Sequence, residues 1–226
     1  DSDSELIIQE GKLDIEDILE IETYEKIFLA QITDISKSSI EIEILEEKGD
    51  RESDYIPSVT IIQSLSNDSK FNFFIEKSVE IGIEKIIPIE SNYSLKSRNK
   101  AMKDTGYWNK LVRDAVEQSR NIFPTIIENP IKIEKLREYR YPENSIKICL
   151  STEAIDSEYL GDLLKRTDLS KPIYIAIGPE KGWSSSDIEV FKDAGFRFIK
   201  LRGNILRTET TGLVIGSVIK YLKGEI

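Results

Sequence analysis

Short apolar runs alternate with stretches of helical period from Val59 to the end of the chain. Val59 to Ile62, Ile83 to Ile89, Ile146 to Leu150, Ile173 to Ile177 and Phe198 to Leu201 read as strands. Between the first two, Phe71, Phe74, Ile75 and Val79 fall at i, i+3, i+4 and i+8. That spacing predicts a helix, with Ser69 available as its cap and Gly82 as its end. Trp108, Leu111, Val112, Ala115 and Ser119 predict a second helix from about Gly106 to Arg120. A last helix, roughly Thr208 to Leu222, is apolar around much of its circumference, which suits burial on two sides. Strand and helix in alternation predict an α/β domain, a parallel sheet covered by helices on both faces.

The N-terminal part follows a different period. Apolar and charged residues alternate strictly from Ser39 to Leu45, the signature of a strand with one wet face. Ile27 to Ile32 reads as its antiparallel partner, with Thr33 to Ser38 as the turn. The polar stretch from Glu46 to Pro57 is the best boundary, so residues 1–57 form a small β-rich domain and 58–226 a larger α/β domain.

Composition narrows the chemistry. With no histidine and one cysteine, Cys149, the chain has no His-based triad, no CxxC zinc site and no internal disulfide, and no metal site is expected. Cys149 lies in the apolar run Ile146 to Leu150 and reads as a buried, inert thiol. No run approaches the length of a membrane-spanning helix, and the start, Asp1-Ser2-Asp3-Ser4-Glu5, is acidic where a signal peptide would be basic and then apolar. The expected compartment is the cytoplasm, with no membrane partner, and the missing initiator Met suggests that the chain begins inside the protein. Net charge is −10, but residues 1–57 hold 5 Lys and Arg against 18 Asp and Glu, whereas the remainder holds 26 against 23. An anionic partner would meet the longer, mildly basic part.

Two strand-to-helix junctions near the C-terminus carry the strongest functional signal. In Ile177-Gly178-Pro179-Glu180-Lys181-Gly182-Trp183-Ser184, glycines let backbone approach a ligand, and Ser184 with Asp187 makes a capping-box-like helix start. The spacing matches neither GxGxxG nor GxxxxGK[ST], so no dinucleotide or nucleoside triphosphate is indicated. About twenty residues later, Arg202-Gly203-Asn204 leads into Ile205-Leu206-Arg207-Thr208-Glu209-Thr210-Thr211. Open parallel sheets place ligands at such junctions. Taken singly, the first is equally a tight turn before a helix, and the second a surface pairing of Arg207 with Glu209.

The combination GPE-x-G-[FW]-S with ILRTET resembles the bacterial small-subunit 16S ribosomal RNA uridine-N3 methyltransferases, a branch of the trefoil-knotted methyltransferases that use S-adenosylmethionine (AdoMet). The likeness extends upstream to Lys77-Ser78-Val79-Glu80-Ile81-Gly82-Ile83, Trp108 and Ala115-Val116-Glu117-Gln118-Ser119-Arg120, and it covers about Val59 to the end. The N-terminal part matches only as a small PUA-like barrel. The resemblance implies a knotted parallel-sheet domain with AdoMet held by three loops: Leu150, Ser151, Thr152 and Glu153; Ile177, Gly178, Pro179 and Gly182; and Leu201, Gly203, Asn204, Ile205 and Leu206. It also implies a homodimer acting on small-subunit ribosomal RNA, within the 30S subunit.

A methyl transfer to uridine N3 requires loss of the N3 proton and stabilisation of the charge left on the base. Arg207 is the candidate for the second task, with Glu209 and Glu180 as alternative bases. Gln118 and Arg120 on their helix, and Lys96, Arg98, Lys100 and Lys103 in a segment read as a loop, are candidate RNA contacts; solvated charge is the plainer reading of each. Against the family pattern, Lys181 and Arg202 replace glycines, Asn204 replaces a frequent arginine, and Tyr93 stands where an arginine is common. The acidic N-terminal domain has then either lost its grip on RNA or touches ribosomal protein. Rival readings are a related knotted enzyme acting on another RNA, a non-catalytic AdoMet- or RNA-binding relative, and a flavodoxin-like nucleotide-binding module that lacks its phosphate loop.

Overall fold

A computed structural model describes residues 13–22, 26–36, 39–50, 59–119, 121, 125–152 and 156–226. The chain divides into two units, Asp1–Tyr55 and Ile56–Ile226.

In the first unit, β1 (Ile18–Glu22), β2 (Lys26–Ile35) and β3 (Ile40–Asp50) form an antiparallel sheet in the order β1-β2-β3. The expected boundary stretch from Glu46 is thus strand as far as Asp50. Cross-strand ion pairs, Lys26 with Glu47 and Lys48 with Glu20, accommodate its charges. Strand β1 was not foreseen. Ala30 and Ile32 are buried, while Ile42 and Ile44 of β3 remain 41% and 49% exposed.

The second unit runs β4 (Val59–Ser64), α1 (Asp68–Glu80), β5 (Lys85–Glu90), α2 (Arg98–Ala101), α3 (Thr105–Ser119), β6 (Ile126–Ile127) and β7 (Ile131–Lys132). A 3₁₀ turn (Ile133–Arg137) follows, then β8 (Ile146–Leu150), β9 (Glu158–Tyr159), α4 (Leu160–Leu164), β10 (Ile173–Ile177), α5 (Ser185–Asp193), β11 (Arg197–Lys200) and α6 (Thr208–Lys223). The strands form an eight-stranded sheet in the order β6-β5-β4-β10-β8-β11-β9, with β7 also pairing β5, and every pairing is parallel. Strand β10 therefore sits between β4 and β8, both of which precede it in the chain.

Alternate residues of each central strand feed two cores, which is why these runs are apolar throughout. Ile61, Ile175 and Ile177 face Phe71, Phe74, Trp108, Ile215 and Ile219. Ile62, Cys149 and Ala176 face Trp183, Phe191 and Phe196. Helix α6 lies so close to the segment leading into β5 that a Cβ on Gly216 would come 2.6 Å from Ile83 Cδ1. No described helix is long and apolar enough to cross a membrane.

Two local expectations are corrected. Asn67, not Ser69, caps α1: its side chain accepts from the Lys70 amide at 3.0 Å, which moves the helix start two residues earlier and puts Asp68 in the first turn. The segment from Lys96 to Lys103 is not plain loop, since it contains α2. Asn67→Ala is expected to lower stability by about 1 kcal/mol, read as a lower urea midpoint with an unchanged m-value.

Candidate active site

Strands β10, β8 and β11 are neighbours and parallel, so the chain leaves Ile177, Leu150 and Lys200 at one edge of the sheet. The two junctions singled out in the sequence, and the segment after Leu150, are thereby brought together at the carboxyl ends of the strands. Side chains bind them to one another. The buried Trp183 indole donates from Nε1 to the Leu150 carbonyl at 2.8 Å, and a Cβ on Gly178 would lie 3.1 Å from the same ring. A side chain at this position would require the indole to shift by a few tenths of an ångström. Thr208, the first residue of α6, donates from Oγ1 to the Gly178 carbonyl at 3.1 Å, and the Ser151 amide donates to the Ile199 carbonyl at 3.1 Å.

The start of α5 is fixed as expected. Ser184 Oγ accepts from the Asp187 amide at 3.1 Å, and Asp187 Oδ2 accepts from the Ser184 amide at 2.9 Å. Asp187 is buried, and its Oδ1 also accepts from the Asn92 amide at 3.3 Å. Asn92 Nδ2 donates to Ser184 Oγ at 2.7 Å and Ser186 Oγ at 2.6 Å, so the segment after β5 is tied to the same helix start.

The two candidate bases prove unlike. Glu180 is exposed and ion-paired with Lys70 of α1, whose hydrogen bond holds the carboxyl below its usual range, with a smaller contribution from Arg207. Glu209, in the first turn of α6, is buried. Its Oε1 lies 4.0 Å from Arg207 Nη1, and its buried Oε2 has no hydrogen-bond partner among the described residues. Arg207 projects outward, its side chain 79% exposed, while its carbonyl accepts from Thr211 Oγ1 at 2.8 Å. An exposed cation thus stands beside a buried carboxylate with an unused oxygen.

Leu201 to Leu206 form the third segment. Gly203 has φ +101°, which glycine alone tolerates readily, and Arg202 to Leu206 make no backbone-to-backbone hydrogen bond among the described residues. Arg202 stacks over Tyr159 at 4.1 Å and bonds Asp162 at 3.2 Å. Asn204 and Ile205 are exposed. A groove of about 470 Å³ lies beside them, lined by Tyr159, Leu201, Asn204, Leu206, Val214 and Val218.

The basic candidates separate into two groups. Lys96 is held between Asp68 and Asp104, and Arg98 donates from Nε to the Pro130 carbonyl at 3.0 Å while its amide meets Glu90 Oε2 at 3.0 Å. Both are built into the fold, whereas Lys100, Lys103 and Gln118 are exposed. Arg120 and Glu153 lie outside the described residues. Among those described, no cluster of carboxylates and cysteine could hold a metal ion.

One buried polar residue at the same strand ends escaped the sequence reading. Gln63, directly across from Ile177 in the β4–β10 register, is 1% exposed, and its Oε1 has no hydrogen-bond partner among the described residues. Its one signal was an amide following an apolar run at the carboxyl end of a parallel strand.

A family model for an RNA methyltransferase domain matches residues 53–220. The chain belongs to this family. Among relatives, the RNA methyltransferase is 29% identical over 95% of its length to a protein of Aquifex aeolicus, covering 93% of it, and 33% identical over 88% to one of Buchnera aphidicola from Schizaphis graminum, covering 79%. Both are named ribosomal RNA small subunit methyltransferase E. Among solved structures, the Neisseria gonorrhoeae protein of that name, bound to S-adenosylmethionine, is 27% identical with a TM-score of 0.73, covering 97% of this chain and 90% of that one. A probable rRNA methyltransferase of Porphyromonas gingivalis shares the fold at 23% identity and a TM-score of 0.77, covering 100% and 91%.

Cys149 beneath this site is buried, and that burial pushes its thiol well above its ordinary value. Little thiolate therefore exists near neutral pH. Iodoacetamide at pH 8 should leave the folded methyltransferase unlabelled and alkylate it once in denaturant, as read by intact mass.

Proposed function

We propose that this chain transfers a methyl group from AdoMet to N3 of a uridine in 16S ribosomal RNA. The observation that carries the reading is the convergence of three strand ends at which Trp183 and Thr208 bind the loops together beside Arg207 and Glu209.

The residues present fit AdoMet. Arg202 to Leu206 leave backbone groups free for a polar ligand, the neighbouring groove is largely apolar, and Gly178 and Gly203 add no side chain. Of the two positions where glycine is replaced, Arg202 is stacked on Tyr159 in the wall of that groove and Lys181 is exposed. When bound, AdoMet supplies a methyl group already activated on a sulfonium sulfur. The protein has then to align N3 with that methyl group and take away the N3 proton. Glu209, with Oε1 4.0 Å from Arg207, is the proposed base, and the exposed Arg207 guanidinium is the proposed partner for the charge that the uracil carbonyl oxygens gather. Glu180, engaged by Lys70, serves the rim of the site. Lys100, Lys103, Gln118 and Arg120 are proposed as RNA contacts.

The same reading makes the domain trefoil-knotted, consistent with the entry of β10 between two earlier strands, and makes the N-terminal sheet part of a PUA-like barrel. It makes the enzyme a cytoplasmic homodimer acting on the 30S particle. Val214, Val218, Tyr221 and Leu222, exposed on α6, support the intersubunit face.

Labelled AdoMet with small subunits lacking the modification should yield N3-methyluridine in 16S RNA; absence of label in both assembled subunits and free RNA would sink the reading. Glu209→Gln and Arg207→Ala should each lower kcat roughly 100-fold or more, while calorimetry finds AdoMet affinity unchanged.

A further inference from the structure

The chain is acidic overall, yet residues 96–113 hold six Lys and Arg against one Asp. Folding sorts these charges into two kinds. Lys96 is taken up by Asp68 and Asp104, and Arg98 by the Pro130 carbonyl, whereas Lys100, Lys103, Lys110 and Arg113 are exposed and make no ion pair among the described residues. The exposed acids of α3, Asp114 and Glu117, come only beyond Arg113. Among these cations stands Tyr107, 54% exposed, in the first turn of α3. Lys110, three residues on, is its neighbour on the helix surface, and Lys103 lies in the turn that joins α2 to α3. The ring is presented from a fixed point: the next residue, Trp108, is buried 4.8 Å from the Phe71 ring of α1, and its amide donates to the Asp104 carbonyl at 2.9 Å. A Cβ on Gly106 would meet nothing within 4 Å, so the surface beside the ring is open.

A chain of ion pairs ties this surface to the candidate site. Glu180 of the second segment pairs with Lys70 of α1, Asp68 in the same turn of α1 pairs with Lys96, and Lys96 pairs with Asp104, three residues before Tyr107. We propose that Tyr107 is a stacking platform for an unpaired base of the substrate RNA, with Lys103 and Lys110 taking the phosphates that flank it. The inference rests on the reading of 16S RNA as the substrate and adds the form in which that RNA is held. Lysines alone accept the phosphates of duplex and single strand alike. An exposed aromatic ring favours the single strand, because only an unpaired nucleotide offers a free π face, whereas a duplex keeps its bases stacked inside. Uridine N3 lies on the Watson–Crick edge, so the target too must be unpaired to be reached. A platform for a second unpaired base on the rim holds the strand open beside it.

Fluorescence anisotropy of a labelled oligouridylate, titrated with the full chain over a range of KCl concentrations, tests the inference. Tyr107→Ala should weaken binding roughly 5- to 100-fold and leave the slope of log Kobs against log salt unchanged. Tyr107→Phe should bind like the wild type. Lys103→Ala and Lys110→Ala should each reduce the slope by about 0.7. An A·U duplex of the same length should bind more weakly than the single strand and be indifferent to Tyr107→Ala. In methyl transfer to undermethylated small subunits, Tyr107→Ala should raise KM and leave kcat in place. A Tyr107→Ala protein that holds oligouridylate as the wild type does, an equal loss in Tyr107→Phe, or a wild type that prefers the duplex or binds no oligouridylate overturns the proposal. If Tyr107→Ala does not fold, Tyr107→Leu, which keeps apolar bulk and lacks the π face, replaces it with the same expectations. Failure of the wild type to methylate 16S RNA removes the substrate reading itself, whereas methylation with an unaffected Tyr107→Ala removes only the platform.

Discussion

Two backbone carbonyls at the ends of adjacent parallel strands cannot be left bare under a layer of loops, and the site depends on how they are satisfied. The Leu150 carbonyl takes the Trp183 indole N–H, and the Gly178 carbonyl takes the Thr208 hydroxyl. Each bond spends a side chain where a loop would otherwise fold its own amides inward. Gly178 lies against the same indole, which would have to shift by a few tenths of an ångström to admit a Cβ.

Charge is layered at the same place. Arg207, Glu180 and Lys70 form an outer, solvated set in which each carboxylate or cation has a counterpart. Behind them Glu209 Oε2 and Gln63 Oε1 are buried without a hydrogen-bond partner among the described residues. Screening makes the outer pairs weak contributors to stability. The inner groups lie where the local dielectric is low, so unmet hydrogen-bonding capacity there is expensive unless it is used.

Much of this was legible in the chain. Ile146 to Leu150 and Ile173 to Ile177 are strands at the very bounds their apolar runs suggested, because parallel strands buried on both faces admit few polar residues. Ser184 and Asp187 announced the α5 cap by spacing alone. What stayed hidden has identifiable causes. Two-residue strands such as β6, β7 and β9 are too short to show a period, and the order β4-β10-β8-β11 arises from long-range pairing that no local pattern encodes. Lys96 and Arg98 look like free cations in the sequence; only folding brings Asp68, Asp104 and the Pro130 carbonyl to them. Gln63 was overlooked because it follows the apolar run Val59 to Ile62, where one polar residue ordinarily marks only the exit to a loop.

Asp187 serves two masters, the amide of its own helix cap and the amide of Asn92 beyond a different strand. The first turn of α5 cannot fray without surrendering the segment after β5, and that segment cannot peel away without weakening the turn. The two behave as one opening unit, in the sense of a shared local unfolding free energy. The loop ahead of α5 and the loop after β5, far apart in the chain, therefore share one exchange protection rather than two.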